Sequence, residues 1–380
     1  MRKLAANPFK FGDPVDGDYY LPRPELSSIV NQFLENRIHI VLMGPRRFGK
    51  TSFLLNILDQ LESKGFSCII VDIFNITSHR DFLHQLLRAV RTRRSFRNKL
   101  KNWWNGIRRL MPTVTADFDV LNGSSSFGFT LGHLAEEDIK TAIQDLLESL
   151  SGLGKRVVVA IDEFQKISEI DDKGWLEATL RTHFQRMPNV SFLFTGSRKS
   201  LISDMLNDPS RPLYRSCQTI DFPSFGPEFT DWVIQRFATV GISCEKEAII
   251  HLRDLVQDTP NYVQMVCFHL VAQARLNIGL SEVEEVLDTV AQQNAYAYQT
   301  LLNSMTLAQQ RALRLAANEQ RALFQKDLML QYEIVSAPAL HSSINALKNK
   351  GILDEEGTSK GKVLFDDPLF AYWLQLCFER

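Results

Sequence analysis

The run Gly44-Pro45-Arg46-Arg47-Phe48-Gly49-Lys50-Thr51 has the spacing G-x-x-x-x-G-K-T, and each residue type in it has a chemical task. A loop of this kind turns its backbone N–H groups inward around a β-phosphate, and side chains at Gly44 and Gly49 would obstruct the wrap. Lys50 then reaches the β- and γ-phosphates, and Thr51 offers its hydroxyl to Mg²⁺. The helix that follows, with Ser52 in its first turn, points its positive N-terminus at the same anion. Gly44, Pro45, Arg46, Arg47, Phe48, Gly49, Lys50, Thr51 and Ser52 are therefore the candidate nucleotide contacts.

A second signature is Asp162-Glu163, which closes the apolar run Val157-Val158-Val159-Ala160-Ile161. Two acids at the end of a buried strand suit hydrolysis of a nucleotide. Asp162 would share the Mg²⁺ with Thr51, and Glu163 would polarise the attacking water. Both acids could instead cap a loop, a reading that the upstream phosphate loop outweighs. Further along, Val190 to Thr195 lead into Gly196-Ser197-Arg198. Ser197 could report the γ-phosphate and Arg198 neutralise charge there, or the two could be a helix N-cap beside a surface arginine. Arg215, after Pro212-Leu213-Tyr214, is a candidate arginine finger, in cis or across a subunit boundary, or else a partner in a structural ion pair.

These residues need a scaffold that brings strand ends together. Ile38, Ile40, Val41 and Leu42 read as a buried strand, and Phe53, Leu54, Ile57, Leu58 and Leu61 recur at helical spacing until Gly65. A strand from Cys68 to Phe74, a helix from Ser78 to Arg91, a helix from Glu136 to Leu150 and strands at 155–162, 190–196 and 218–222 follow. Strand and helix alternate with short joints, which predicts an α/β fold: a P-loop parallel sheet with ligands at its carboxyl edge. Residues 226–303 are almost wholly helical in pattern and read as a lid, with Pro260 opening a helix that could touch the nucleotide. From 304 the pattern changes to helices at 306–318, 324–330 and 338–350. Ile352-Leu353 and Val363-Leu364-Phe365 then form a two-stranded wing, so 304–380 reads as a winged-helix domain. Residues 7–26 hold four prolines and two glycines and read as an ordered loop, with Tyr19 or Tyr20 against a base or packed on the core.

One stretch breaks the α/β rhythm of the first 225 residues. Between Arg88 and Arg109 lie nine Arg or Lys residues and no acid, with Phe96, Trp103 and Trp104 interleaved. Arg91, Arg93, Arg94, Arg97, Lys99 and Lys101 are candidates for nucleic-acid contact, for an acidic partner, or for a solvated helix face. Thr113 to Gly132, broken by Asn122-Gly123, reads as a β-hairpin, which makes about 91–133 an insertion. Between Arg321 and Asp366 six Arg/Lys face six Asp/Glu, so the winged helix lacks the basic footprint of a DNA reader. That balance points to an internal interface or partner docking instead.

The 380 residues allow two or three domains, and a hydrophobic content of 44% supplies ample core. The net charge of −1 leaves nucleic-acid binding to local patches. Five cysteines without a C-x-x-C pair suggest free thiols in a reducing compartment. No apolar run has membrane-spanning length and residues 1–8 lack a hydrophobic signal core, so a cytoplasmic protein with no membrane partner is expected.

Taken together these residues resemble the archaeal-type ATPases, a prokaryotic group within the STAND and AAA+ assemblage. The likeness rests on Asn7-Pro8-Phe9, Pro14-Val15, Arg23 with Glu25-Leu26, Gly44 through Thr51, Ile161 through Gln165, and Gly196-Ser197. It continues through Pro212-Leu213-Tyr214, Pro260-Asn261-Tyr262 and Asp367-Pro368-Leu369-Phe370. It implies an ATPase core, a helical lid and a C-terminal winged helix used as a nucleotide-driven switch, with ATP and Mg²⁺ as cofactors. The usual glycine before the lid proline is replaced around Asp258-Thr259. Many members extend into a nuclease-like domain where this sequence ends at Arg380, so a separate effector protein is expected, with a homo-oligomer and DNA or RNA as further candidate partners. Asn349-Lys350 lacks the Asp that guanine recognition needs, which leaves ATP.

Overall fold

Ile40, Val41 and Leu42 are fully buried and form β1 (Ile40–Met43), the strand that delivers the phosphate loop. Apolar side chains on both faces suit a strand covered by helices on either side. β2 (Ser67–Asp72), β5 (Val157–Asp162), β6 (Val190–Gly196) and β7 (Gln218–Asp221) join β1 in one sheet of order β2-β5-β6-β1-β7. All four pairings are parallel. Every residue of β5 and β6 is buried, and the register sets Ile161 beside Phe194 and Met43 beside Gly196. The carboxyl ends of β1, β5 and β6, the three strands with candidate chemistry, thus share one edge of the sheet.

The structure, a computed structural model, describes residues 6–92, 114–119, 126–131, 135–171, 174–319, 322–354 and 363–378. The chain divides into two compact units: one of residues 22–44 and 50–222, the other of 1–21, 45–49 and 223–380.

In the first unit α1 (Pro24–Glu35) begins with Pro24 at its first position, where a missing N–H costs nothing. Residues 24–26 thus belong to a helix and not to the loop expected over 7–26. Ile38 does not belong to β1. It is 40% exposed, and Arg37 before it has a φ of +63° that breaks the extended run. α2 (Lys50–Ser63) buries Phe53, Leu54, Ile57, Leu58 and Leu61, the residues expected from their spacing. α3 (His79–Thr92), α4 (Glu136–Ser149), α5 (Lys166–Ile170), α6 (Trp175–Arg186) and α7 (Lys199–Asn207) complete the unit. β3 (Val114–Asp119) and β4 (Ser126–Leu131) pair antiparallel, as the hairpin pattern predicts. The Asn122-Gly123 turn lies outside the described residues, as do Arg93, Arg94, Arg97, Lys99 and Lys101. Arg91 falls in the last turn of α3.

The second unit is helical: α8 (Glu228–Thr239), α9 (Lys246–Leu255), α10 (Pro260–Ala272), α11 (Leu280–Gln293) and α12 (Ala295–Asn303). Two-residue strands β8 (Ser243–Cys244) and β9 (Asn277–Ile278) pair parallel within a region whose sequence pattern is helical throughout. They are too short to leave a period-2 pattern. Phe9 is buried in this unit against Phe237, with ring centroids 4.7 Å apart. The Tyr19 hydroxyl donates to the Asn7 carbonyl at 3.3 Å, and Gly17–Tyr19 form a single 3₁₀ turn. The Arg236 guanidinium of α8 lies 5.7 Å from the Tyr19 ring centroid, so Tyr19 packs the N-terminal segment onto its own unit.

Next come α13 (Leu307–Glu319), α14 (Lys326–Gln331) and α15 (Ala337–Asn349), then the antiparallel pair β10 (Leu353–Asp354) and β11 (Leu364–Phe365). That order of helices and strands is the one read from the sequence. The chain adds α16 (Pro368–Phe378), whose first seven residues are all buried. A helix apolar on every side shows no helical periodicity, so Asp367-Pro368-Leu369-Phe370 stands out in the sequence as a motif and not as a helix start.

Candidate active site

The phosphate loop uses its two glycines for different reasons. Gly49 has a φ of +89° and open space around it, so the backbone turn is what requires glycine. Gly44 is required by contact: a Cβ there would sit 2.7 Å from Cβ of Phe222, just beyond β7. Phe222 is held in turn by Phe53 edge-on at 5.5 Å and by the Arg23 guanidinium 4.4 Å over its ring. Between the glycines, Arg47 also has a left-handed φ, +62°. Lys50 is buried and its Nζ donates to the Gly44 carbonyl at 2.8 Å, which draws the ammonium back across the loop. Phe48 and Ser52 are buried as well.

Thr51 and Asp162 meet, although 111 positions separate them. The Thr51 hydroxyl donates to Asp162 Oδ2 at 2.7 Å. The other oxygen, Oδ1, accepts from the Thr195 hydroxyl and from the Glu163 amide at 3.0 Å. Two oxygen donors, one hydroxyl and one carboxylate, fit a hard divalent cation such as Mg²⁺. Among the described residues no group of three or more His, Cys, Asp or Glu could hold a metal alone, so a cation here would share its ligands with phosphate oxygens. Thr195, fully buried in β6, escaped the sequence reading because a threonine inside an apolar strand looks like packing.

Glu163 leaves the strand with a φ of +61°, a conformation that costs a non-glycine residue about 1–2 kcal/mol. That twist turns the chain straight after Asp162, and Lys166 N–H then closes onto the Glu163 carbonyl at 2.9 Å. Glu163 Oε2 accepts from the Ser197 hydroxyl at 3.0 Å and from Gln165 Nε2. Gln165 Nε2 also donates to Ser197 Oγ at 3.3 Å. Ser197 is thus 5% exposed and tied to the acid at the strand end, and it is not the cap of α7.

Arg198 stands at the N-cap of α7 and pairs with Glu169 at 3.3 Å on the surface. Arg215 is exposed on a loop with φ +50°, its guanidinium 5.1 Å from the Tyr214 ring. The loop is braced by Arg181, which donates to the Pro212 carbonyl, and by an ion pair between Arg211 and the buried Glu177.

In the other unit Arg46 pairs with Asp366 at 3.0 Å and Arg47 lies 3.7 Å from Asp367. Arg47 also stacks over Tyr262, 4.9 Å from the ring. Asp367 accepts from the hydroxyls of Tyr262 at 2.6 Å and Tyr298 at 3.2 Å. Burial pushes its carboxyl above the usual carboxylate range, while the Arg47 charge pulls it back. Pro260 is buried at the first position of α10, two residues from Tyr262. Gln257 and Asp258 before it both have positive φ, where the resemblance placed a departure from a glycine.

The profile of a family described as an ATPase domain predominantly from Archaea matches residues 24–226, more than half of the chain. The chain belongs to this family of ATPases. Among solved structures, the Walker-type ATPase of Pyrococcus abyssi is similar with a TM-score of 0.65 and 18% identity, over 94% of this chain and 97% of that one. The ORC2 protein of Aeropyrum pernix, solved as ADPNP and ADP complexes, gives 0.54 and 14% over 94% of each chain. The ORC1 protein of the same organism, in complex with DNA, gives 0.51 and 14%, again over 94% of each. At these identities the likeness is one of fold. No match among curated proteins was found. The ATPase is thus a P-loop enzyme, and no helix among its described residues is long and apolar enough to cross a membrane.

Proposed function

We propose that this ATPase is a nucleotide-driven switch, in which hydrolysis at the phosphate loop is read out by the C-terminal helices to control a separate effector protein or an assembly of its own copies. One observation carries the reading: Arg46 and Arg47, inside the phosphate loop, are paired with Asp366 and Asp367 at the start of the last helix. A loop that has to follow phosphate is thereby wired to α16, and α10 joins through the contact of Tyr262 with both Arg47 and Asp367. The helices and two-stranded pair from 307 to 365 serve as the winged helix of this device, and 226–303 as its lid.

Lys50 places positive charge at the β- and γ-phosphates, and Thr51 with Asp162 holds the cation. Bound Mg²⁺ neutralises charge on the phosphates of ATP. Glu163 takes the proton of the attacking water, and Ser197 orients that carboxylate. Arg215, exposed on a braced loop without an ion pair among the described residues, is suited to act on a neighbouring copy, whereas the ion pair to Glu169 draws Arg198 away from such a role.

The hydrolytic half of the reading is tested with Glu163→Gln, which should bind ATP and lose turnover; wild-type turnover would overturn it. The switch half is tested by Asp366→Asn with Asp367→Asn. Freeing both arginines should change the ATPase rate at least threefold and erase any difference in protease sensitivity between ATP and ADP. An unchanged rate with that difference intact would refute the coupling.

A second reading, an ATP-licensed nucleic-acid-binding regulator, is supported by the basic stretch from Arg88 to Arg109 and by a fold shared with an ORC1 protein solved on DNA. Stimulation of the ATPase by single- or double-stranded DNA, lost on reversing Arg93, Arg94 and Arg97, would favour it.

A further inference from the structure

Gln165 is 2% exposed, yet only half of its amide is engaged. Nε2 donates to Glu163 Oε2 and to Ser197 Oγ, whereas Oε1 is buried without a hydrogen-bond partner. The orientation follows from chemistry, because a carboxylate accepts and the end of the amide that faces it must be the NH₂. A buried carbonyl oxygen left without a donor is unfavourable, and leucine or methionine would fill the same space without that cost. The side chain is therefore kept polar for what Nε2 does. Its surroundings are cut to fit: a Cβ on Gly196 would sit 2.5 Å from Gln165 Oε1 and 2.3 Å from Ile202 Cδ1. The backbone is fixed too, since the Gln165 carbonyl accepts from Ser168 N–H at 3.1 Å and from the Ser168 hydroxyl at 2.8 Å.

We infer that Gln165 is a positioning residue for ATP hydrolysis: together with Ser197 it holds Glu163 by Oε2 and so reserves Oε1 for the attacking water. Among the described residues Glu163 Oε1 has no hydrogen bond or ion pair, while Oε2 accepts two. In the step it serves, the water oxygen bonds to the γ-phosphorus and the water proton passes to Oε1. The bond to the bridging oxygen breaks, and its electron pair leaves on ADP. An unheld glutamate samples several rotamers, few of which place an oxygen on the in-line water. The inference rests on Glu163 being the base proposed above.

The test is a double-mutant cycle on single-turnover rate and on kcat and KM for ATP, using Gln165→Met, Glu163→Gln and the two combined. Gln165→Met should lower kcat at least tenfold, with KM for ATP within twofold of wild type and an unchanged melting curve. Added to Glu163→Gln it should lower the residual rate less than twofold, because a residue that acts only through Glu163 has nothing left to act on. Gln165→Leu replaces Gln165→Met if the methionine variant melts early. Wild-type kcat in Gln165→Met, or an equal loss in both backgrounds, would overturn the role of Gln165 while leaving Glu163 as base. Wild-type turnover in Glu163→Gln would instead overturn the reading on which the inference stands.

Discussion

Replacing Thr195 with valine removes one hydroxyl and almost no volume, which isolates what that hydroxyl does for Asp162. Asp162 Oδ1 has two donors, the Thr195 hydroxyl and the Glu163 amide at 3.0 Å, and Oδ2 accepts from Thr51 at 2.7 Å. Thr195 is fully buried and Asp162 is 6% exposed, so water cannot take over the lost bond without rearrangement. A hydrogen bond to a charged group contributes about 1.5–3 kcal/mol. At about 1.4 kcal/mol per factor of ten, that is about tenfold to a hundredfold in how well the carboxylate is held for a cation. Residues that orient a metal ligand show a loss of the same size, about 10–100-fold in affinity. Thr195→Val should therefore raise the Mg²⁺ concentration that gives half-maximal ATPase rate by at least tenfold, measured at saturating ATP. Binding of ATP in the presence of EDTA should stay within twofold, since Lys50 and the loop are untouched. An unchanged Mg²⁺ midpoint would refute this account of Asp162, and so would loss of ATP binding in EDTA.

Arg211→Met strands Glu177, which is 1% exposed and whose carboxyl burial already pushes up. The loss should be about 3–5 kcal/mol, read as a lower denaturant midpoint. A raised folded pKa means stability is full at acid pH and falls as the carboxyl ionises, so the deficit should shrink on acidification. His39 accepts from Phe192 N–H at 3.1 Å, stacks on Phe184 at 4.1 Å and is pushed down to about 4 by burial. A depressed base pKa gives stability present above 6.5 and lost as pH falls toward 4, at most about 3 kcal/mol. Replacing His39 with glutamine should flatten stability across that window. Gly44→Ala must displace Phe222, whose Cβ would lie 2.7 Å from the new methyl. It should weaken ATP binding and lower the melting temperature together, whereas loss of binding alone would mean the loop and not Phe222 is the constraint.

Much of this ATPase is legible in its sequence because the signals are local. The phosphate loop sits at a fixed spacing beside an apolar strand, and the strand that ends in Asp162-Glu163 is buried on both faces, so periodicity and motif suffice. The helices at 79–92, 136–149 and 337–349 are marked by amphipathic spacing, and the last also by Pro338 at its start and Gly351 after its end. Helices without such a stripe, such as α16, are invisible until packing buries them on all sides.

What only the tertiary structure decides is which oxygen faces which donor. Nothing in the order of residues says that Thr195 serves Asp162, that Gln165 serves Glu163 beside Ser197, or that Gly44 is glycine because of Phe222. Nor does it say that the arginines between the two loop glycines answer to Asp366 and Asp367, some 320 positions away. Those pairings come from a parallel sheet that lines up the ends of β1, β5 and β6, and from helices that bring distant turns within 3 Å. Side chains at such distances leave no periodic trace in the sequence, because hydrogen bonding depends on position in space and not on separation along the chain.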